Sequence, residues 1–395
     1  MTHLGQERSR LVISRGTPWR APAREGQGAR HRRPGVSSFL RSLSAFCLLL
    51  CAFYLSPARA QVETVPGAGP LHYLWLNQGR IEGHLALRFS PAGAFSPDSS
   101  LLAVVSEAKI VLVGTSDAGI QKVLKPHLPG IADLDIQSAN FLAMNELFLL
   151  GKGAFPGKQR KPGLPTPLLA FQWDAMEDKL SGKVESLGAG GGFGPILYFP
   201  HRQFLVLYKA SNFVVWEPRS GRSGQLNIPE LTQTPNVFSF SPDGHWVLLA
   251  QIATTSNPDP VVVEVGLHRF TDNLRGHQGA VFNTSFSPDS RRVVTACQDG
   301  KLRIFSAPGW NLLETLSGHN GPVHWAEFSP DGRWLASAGE DKTVRVWSVD
   351  DGKLQQTLEE GGEPLLTVAF SPDGEHLAAA SEKAAFLWKR IVSGP

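Results

Sequence analysis

Cysteine is scarce in this sequence: the 395 residues include three, and only Cys297 lies beyond residue 60. A lone thiol excludes an internal disulfide framework in that part of the chain, and it excludes a zinc site built on paired cysteines. Charged residues are also few, at 18%, whereas Gly (40) and Pro (29) are abundant. Few charges combined with many turn residues favour an all-β domain over a helical one.

Basic charge is concentrated at the N-terminus. The first 60 residues hold 10 Arg, no Lys and 2 Glu, out of 38 basic and 35 acidic residues in the whole chain. The remainder therefore has 28 basic and 33 acidic residues, a net charge of −5, although the full chain carries +3. Because phosphate binding needs a basic face, we expect no nucleic-acid partner for this larger part.

Two segments precede the main body. Residues 1–38 are polar and Arg-rich with no apolar period, and we expect them to be disordered.

Residues 39–60 combine a positive flank, a 13-residue apolar run and a small-x-small pattern that ends at Ala60. This is the layout of a secretory signal peptide cleaved after Ala60, and the run is shorter than the ~20 residues of a membrane helix. An uncleaved N-terminal anchor and an organelle transit peptide are the alternatives, and only an uncleaved segment would contact a membrane. The main prediction is a secreted or periplasmic protein, with residues 61–70 as a linker.

A sequence repeat organises the rest of the chain. Ser-Pro-Asp followed by Gly or Ser comes directly after a Phe five times, at Phe95, Phe240, Phe286, Phe328 and Phe370. The last four are separated by 46, 42 and 42 residues, and such periods indicate repeat architectures. The gap after Phe95 leaves room for two degenerate units, for which Phe141 and Phe199 are the candidate anchors. The count is then seven units.

Each clear unit has the pattern of four short strands. In residues 318–358, apolar and β-branched runs alternate with the turn sequences Pro-Asp-Gly, Gly-Glu-Asp-Lys and Asp-Asp-Gly. Pro fixes φ and Gly accepts a positive φ, so these sequences favour tight turns. Four short antiparallel strands at even spacing are typical of one propeller blade.

The units resemble WD40 repeats. Gly-His pairs precede strands at 83–84, 276–277 and 318–319, and the runs DGKLRIF and DKTVRVW are similar to the third strand of that family. The resemblance is specific from about residue 266 to 390, weaker from 71 to 265 and absent from 1–60. It implies an all-β, seven-bladed β-propeller of four-stranded antiparallel blades over residues 71–392. The final unit lacks a fourth strand, and we predict that Gly79–His84 supplies it and closes the ring.

The resemblance also implies a structural hydrogen-bond tetrad. His319, Ser337, Asp341 and Trp347 match the positions of this tetrad in one unit. The preceding unit matches it in part, at His277, Thr295 and Asp299, with Phe305 in place of Trp. Such a network is stable when every buried member is satisfied.

The search for reactive chemistry gives no catalytic set. The segment after Gly151 misses the spacing of a phosphate-binding loop, and the other His residues are scattered along the chain. We therefore expect no enzyme activity, no catalytic residue, no metal site and no cofactor.

The function expected is a non-catalytic, monomeric scaffold that binds a protein or peptide. Three residues in or beside the tetrad turns are candidate partner contacts: Gln298, Glu340 and Lys342. The alternative is a propeller enzyme or small-ligand binder, lactonase-like or TolB-like, with its site at the central channel. Residues 151–167 are basic and rich in Gly and Pro, and we expect a long surface loop there.

Overall fold

Strands make up all the regular secondary structure that the described residues contain. The computed structural model describes residues 72–82, 94–106, 109–154, 166–188, 193–199, 204–209, 212–217, 222–228, 235, 237–250, 258–359 and 362–393. The predicted disordered segment, signal peptide, cleavage site and linker lie outside these ranges. The all-β prediction is confirmed for the part of the chain that is described.

The strands of the first half form β1 and three sheets. β1 is His72–Glu82. Sheet 1 contains β2 (Leu101–Ser106), β3 (Lys109–Gly114) and β4 (Ile120–Leu124). Sheet 2 contains β5 (Ala132–Ala143), β6 (Glu146–Ala154), β7 (Leu168–Asp174), β8 (Lys179–Leu180) and β9 (Glu185–Gly188). Sheet 3 contains β10 (Phe193–Phe199), β11 (Phe204–Lys209), β12 (Asn212–Glu217) and β13 (Arg222–Asn227).

The second half forms four more sheets. Sheet 4 contains β14 (Val237–Phe240), β15 (Trp246–Ala250), β16 (Val261–Glu264) and β17 (Arg269–Asn273). Sheet 5 contains β18 (Val281–Phe286), β19 (Arg292–Cys297), β20 (Lys301–Ser306) and β21 (Leu312–Ser317). Sheet 6 contains β22 (Val323–Phe328), β23 (Trp334–Gly339), β24 (Thr343–Ser348) and β25 (Leu354–Glu359). Sheet 7 contains β26 (Thr367–Phe370), β27 (His376–Ala380) and β28 (Ala384–Ser393), with β1 as its fourth strand.

The first strand of the chain pairs with the last. β1 runs antiparallel to β28, from His72 opposite Ser393 to Glu82 opposite Ala384. The expected segment Gly79–His84 is thus only the end of a longer strand, and its residues 83–84 lie outside the described ranges. The pairing covers an edge of β28 that would otherwise expose unpaired backbone groups.

Sheets 1 and 2 differ from the four-stranded plan in their described residues. Sheet 1 has three strands and a single bridge between Phe95 and Leu102, and residues 83–93, which precede that bridge, lie outside the described ranges. In sheet 2 the fourth strand is split into β8 and β9, because residues 181–184 interrupt its pairing with β7. The expected loop over residues 151–167 is corrected at its start: β6 continues through Gly151–Ala154, with Gly151 and Lys152 paired to β7, whereas residues 155–165 lie outside the described ranges.

Apolar clusters join each sheet to the next. One cluster lies between each pair of consecutive sheets from 1 to 6, and another lies between sheets 6 and 7. A further cluster joins sheet 7 to sheet 1, with Ala369, Ala378 and Leu387 against Phe95 and Leu102. Burial of each large apolar side chain stabilises such contacts by about 1.5–3 kcal/mol.

The Ser-Pro-Asp turns are held by their own side chains. In sheet 6, Ser329 Oγ accepts from the Trp334 N–H (2.9 Å) and Asp331 Oδ1 accepts from the Arg333 N–H (3.1 Å). The same arrangement recurs in the turns after Phe95, Phe240, Phe286 and Phe370. Recurrence at the same position of five repeats indicates turn chemistry and not catalysis.

Two of these turns carry Ser where three others carry Gly. Ser99 and Ser290 have φ of 63° and 61°, a region that a residue with a Cβ rarely adopts. Each hydroxyl accepts a backbone N–H from the previous repeat: Ser290 Oγ from Asp243 (3.0 Å) and Ser99 Oγ from Asp373 (3.1 Å). The second bond links sheet 7 to sheet 1.

Candidate functional site

Sheet 6 brings the four predicted tetrad side chains together. His319 Nδ1 lies 2.9 Å from Asp341 Oδ1, and its Nε2 lies 2.7 Å from Ser337 Oγ. The Trp347 indole N–H donates to the same Ser337 oxygen at 2.9 Å. His319 comes from the segment before β22, Ser337 from β23, Asp341 from the β23–β24 turn and Trp347 from β24. One chain of hydrogen bonds therefore connects four parts of the sheet.

Asp341 is the charged end of this chain. Burial would raise the pKa of its carboxyl, but hydrogen bonds from the His319 ring, the Asn320 N–H and Thr343 hold that pKa far below the usual value. Arg345 Nη2 stands farther off, at 3.6 Å from Asp341 Oδ2. The carboxylate is thus ionised across the physiological range.

In sheet 5 the buried histidine bonds to a different carboxylate from the one expected. The expected pair of His277 with Asp299 is not formed: His277 Nδ1 lies 2.9 Å from Asp259 Oδ1, and its Nε2 lies 2.8 Å from Thr295 Oγ1. Asp259 comes just before β16, so this histidine reaches back to sheet 4. Burial is the main cause that lowers the pKa of His277, although Asp259 opposes it.

The hydrogen bonds of Arg303 explain why His277 does not pair with Asp299. Its guanidinium donates to both oxygens of Asp299, at 3.3 and 2.7 Å. The Gln278 N–H adds a further bond to Asp299. Burial raises the pKa of Asp299, but these donors lower it to about 2. Because the planar fork of Arg fits a carboxylate with two bonds, it occupies Asp299 and leaves His277 to Asp259.

Other sheets replace the network with apolar contacts. In sheet 2 the register places Leu149 where sheet 6 has Ser337, and the Trp173 indole N–H donates instead to Asp178 at 2.9 Å. In sheet 7, Trp388 is buried and Ala379 stands at the Ser position. The lone Trp-Asp dipeptide, Trp173-Asp174, is therefore not part of a tetrad.

The three candidate partner contacts lie in or beside the second turns of sheets 5 and 6, and all are exposed. Gln298 Oε1 accepts from the Ala280 N–H (3.1 Å), and Glu340 Oε2 lies 2.7 Å from His324 Nε2. Lys342 has a φ of 67° in the β23–β24 turn. Gln298 and Glu340 are thus already oriented by neighbours from the preceding strands.

Two further residues join these contacts. Phe282 and His324 each occupy a β-bulge at the same position of the first strands β18 and β22. Their rings lie 5.4 Å apart. A bulge adds a residue to one strand and turns its side chain away from the ladder. The local sequence does not predict where a bulge occurs. We call Phe282, Gln298, His324, Glu340 and Lys342 the His324 patch.

Glu327 is a second residue that motif searching missed. It lies on β22, and its carboxyl accepts hydrogen bonds from the Phe370 N–H on β26 and from Trp325. Burial outweighs both bonds and raises the pKa of Glu327 to about 8. An acid held protonated near neutral pH is the kind of group that functional sites use.

Other potential sites are not found in the described part of the chain. There, no group of three or more His, Cys, Asp or Glu side chains could hold a metal ion. Across the same ranges, no helix is long and apolar enough to cross a bilayer. Asn283 begins Asn283-Thr284-Ser285, the acceptor pattern for N-glycosylation, but it is buried and its Oδ1 accepts from the Ala326 N–H at 3.1 Å, so it serves packing.

Comparisons with known proteins agree with the repeat pattern. The WD40 family (WD domain, G-beta repeat) matches residues 268–306, 310–348 and 352–389. Coronin-7 from Pongo abelii is 30% identical over 111 residues, which are 27% of this chain and 12% of the relative. Coronin-7 from Rattus norvegicus is 32% identical over 109 residues, 27% of this chain and 12% of the relative. The similarity thus covers about an eighth of these relatives.

Proposed function

Because the chain is a WD40-repeat protein, we propose that it works as a non-catalytic scaffold that binds a protein or peptide through the His324 patch. One observation carries this proposal. Exposed carboxylate, amide and ammonium groups and half-buried aromatic and imidazole groups converge at one end of two neighbouring sheets, above a fully hydrogen-bonded buried network. A rigid frame under exposed side chains reduces the entropy lost on binding.

The scaffold in this proposal is a monomeric, seven-bladed propeller over residues 71–392, closed by β1.

 It is supported by three contacts between the chain's ends: the β1–β28 pairing, the apolar cluster between sheets 7 and 1, and the hydrogen bond from the Asp373 N–H to Ser99. Deleting residues 71–84 tests the closure. We expect a sharp loss of stability in urea unfolding, and an unchanged midpoint would contradict the closed ring.

The export prediction becomes part of the same proposal. Residues 39–60 would direct the scaffold to a secreted or periplasmic location, with Gln61 as the first mature residue. Mass determination of the exported N-terminus tests this directly. A mass that retains residues 39–60 would exclude cleavage there.

A charge reversal tests the patch. The full chain, immobilised, would be used to capture partners from an extract of the source organism, beside the variant Glu340→Lys. We expect the captured partner to be reduced by about tenfold or more, because the variant reverses a charge at the centre of the patch. The matched control is Asp350→Lys, which makes the same change in an exposed turn at the other end of sheet 6. Equal loss in both variants would contradict the assignment.

Glu327 supports one second candidate, a small-ligand or substrate site where the first strands of the sheets meet. Its carboxyl lies between β22 and β26, and its raised pKa would let it donate a proton at neutral pH. A screen for small molecules that alter thermal stability tests this candidate. Ligands whose effect is lost in Glu327→Gln would favour it, and their absence would leave the scaffold proposal standing.

A further inference from the structure

Sheet 2 carries a groove at the end opposite to the His324 patch. Six residues line a space of about 400 Å³: Ala143, Met144, Asn145, Glu146, Asp174 and Ser181. They come from the β5–β6 and β7–β8 turns and the residue after β8. In an antiparallel sheet these turns share one end, and the β6–β7 connection lies at the other. The His324 patch belongs to the second turns of its own sheets, so the two surfaces face opposite ends of the repeats.

Methionine replaces a polar turn residue twice at this end of sheet 2: Met144 lines the groove, and Met176 belongs to the adjoining β7–β8 turn without being one of the six lining residues. Ala143 pairs with Glu146 across a two-residue loop, so Met144 stands where other repeats carry the Ser-Pro-Asp turn. Trp173 pairs with Leu180 as Trp347 pairs with Leu354, which aligns Met176 with Asp350. The two methionines are 39% and 66% exposed, so packing of the fold does not account for them. Exposed Met side chains are adaptable contact surfaces for apolar partners.

The groove is also acidic. Glu146 and Asp174 are directly paired across β6 and β7, and none of the six lining residues is basic. The nearby Lys179 is engaged in an ion pair with Glu177. Two adjacent carboxylates beside apolar side chains complement a cation that is attached to an apolar group.

The β7–β8 turn is held in place before any partner binds. Asp174 Oδ1 accepts from the N–H groups of Met176 and Glu177, both at 2.8 Å. From sheet 1, Lys122 Nζ donates to the Ala175 carbonyl at 2.8 Å. These bonds fix the position of the turn that supplies both Asp174 and Met176, which lowers the cost of ordering it on binding.

We infer that this groove docks a peptide segment that presents a Lys or Arg beside a large apolar side chain. The apolar side chain contacts Met144 and Met176, and the cation lies against Glu146 and Asp174. This surface is separate from the His324 patch, so an experiment that contradicts one of the two binding assignments leaves the other standing.

Methionine methyl signals give a direct test. The chain has three Met, and two of them are Met144 and Met176, so a full-length sample labelled with ¹³C at the methionine methyl group gives few signals. The probe is an acetylated peptide with two Lys-Leu pairs separated by glycines. We expect both signals to shift saturably with this peptide, and not with a peptide that has Glu in place of Lys. No shift at about 5 mM peptide, or equal shifts with both peptides, would overturn the inference.

Variants separate docking from folding. Met176→Asn places an uncharged polar residue, common in turns, at the position aligned with Asp350, so we expect it to fold and to weaken peptide binding by about tenfold or more. The matched control is Leu267→Asn, which changes another exposed apolar residue in the third turn of sheet 4 and should leave binding unchanged. Glu146→Gln should weaken binding and reduce its dependence on salt. Equal losses in Met176→Asn and Leu267→Asn would exclude a specific groove.

Discussion

The buried histidines of sheets 5 and 6 occupy the same place in their repeats and bind different acids. His319 bonds to Asp341 of its own sheet, whereas His277 bonds to Asp259 beside sheet 4. Asp299 is the residue aligned with Asp341, and Arg303 holds it with two hydrogen bonds. In sheet 6 the corresponding Arg345 stays 3.6 Å from Asp341.

This difference shows how one side chain redirects a buried network. A carboxylate has a limited number of hydrogen-bond positions, and a guanidinium that takes two of them changes what remains for the imidazole. The repeat then keeps a satisfied histidine by using an acid from the adjacent sheet. The consequence is a polar link between sheets 4 and 5 in place of a network internal to sheet 5.

The largest effect is expected from Asp341→Ala. This change removes the acceptor of His319, Asn320 and Thr343 together and leaves buried polar groups without partners. We expect the free energy of unfolding to fall by about 3–5 kcal/mol, measured by urea titration. Asp259→Ala, the matched change for His277, should cost less because Asp259 is more exposed. Equal costs would show that the two histidines are held alike.

The next effect is expected from Arg303→Met. The variant leaves Asp299 without its guanidinium partner, and we expect it to destabilise the protein by about 1–3 kcal/mol. The pKa of His277 should rise, because the charge of Arg303 is one of the causes that lower it. Urea unfolding and NMR titration of the histidine ring measure the two results. Arg345→Met, the control in sheet 6, should cost less, and a larger cost there would reverse the comparison.

A smaller effect concerns pH. The pKa of His277 is lower in the folded protein than the ordinary value of 6.5, mainly through burial. The unfolded chain therefore binds more protons below pH 6.5, so the stability that this histidine contributes is present above that pH and is lost as pH falls toward its folded pKa. We expect the stability difference between the wild type and His277→Gln to shrink from pH 7.5 to pH 5.5. A difference that stays constant or grows would contradict a lowered pKa.

The smallest effect is expected from Ser290→Gly. Glycine relieves the positive φ but removes the acceptor of the Asp243 N–H, and the two changes should nearly cancel, within about 1 kcal/mol. The reverse change, Gly332→Ser, introduces the strained conformation into a repeat in which Gly has a φ of 71°. Thermal unfolding of both variants measures the difference. A marked loss in Ser290→Gly alone would show that the hydroxyl bond between sheets outweighs the strain.

Much of the fold could be read from the repeated Phe-Ser-Pro-Asp sequence. The spacing located the units, and the turn residues located the first hairpin of each clear sheet, because Pro and Asp act through local geometry. The two degenerate units could be placed only by their anchors Phe141 and Phe199. Their irregular strands, such as the split between β8 and β9, depend on pairing with β7 and are not announced by turn residues.

The residues of the candidate site also include some that the sequence predicted and some that it did not. His319, Ser337, Asp341 and Trp347 were selected by position in the repeat, and the structure places them within hydrogen-bond distance in one chain. Phe282 and His324 were not selected, because a β-bulge is a feature of strand pairing. Glu327 was not selected either, because its pKa depends on burial between two strands that lie far apart in the sequence.

The sequence by itself determined the strand content, the repeat period and the turns, since each depends on residues that are neighbours along the chain. Only the tertiary structure decided that His277 binds Asp259, how far β1 extends along β28 and where the methionines of sheet 2 stand. These outcomes depend on competition among groups from different sheets. Arg303 shows the reason most clearly. Its hydrogen bonds to Asp299 depend on the distance and geometry between the two side chains, and the spacing of residues along the chain does not specify these.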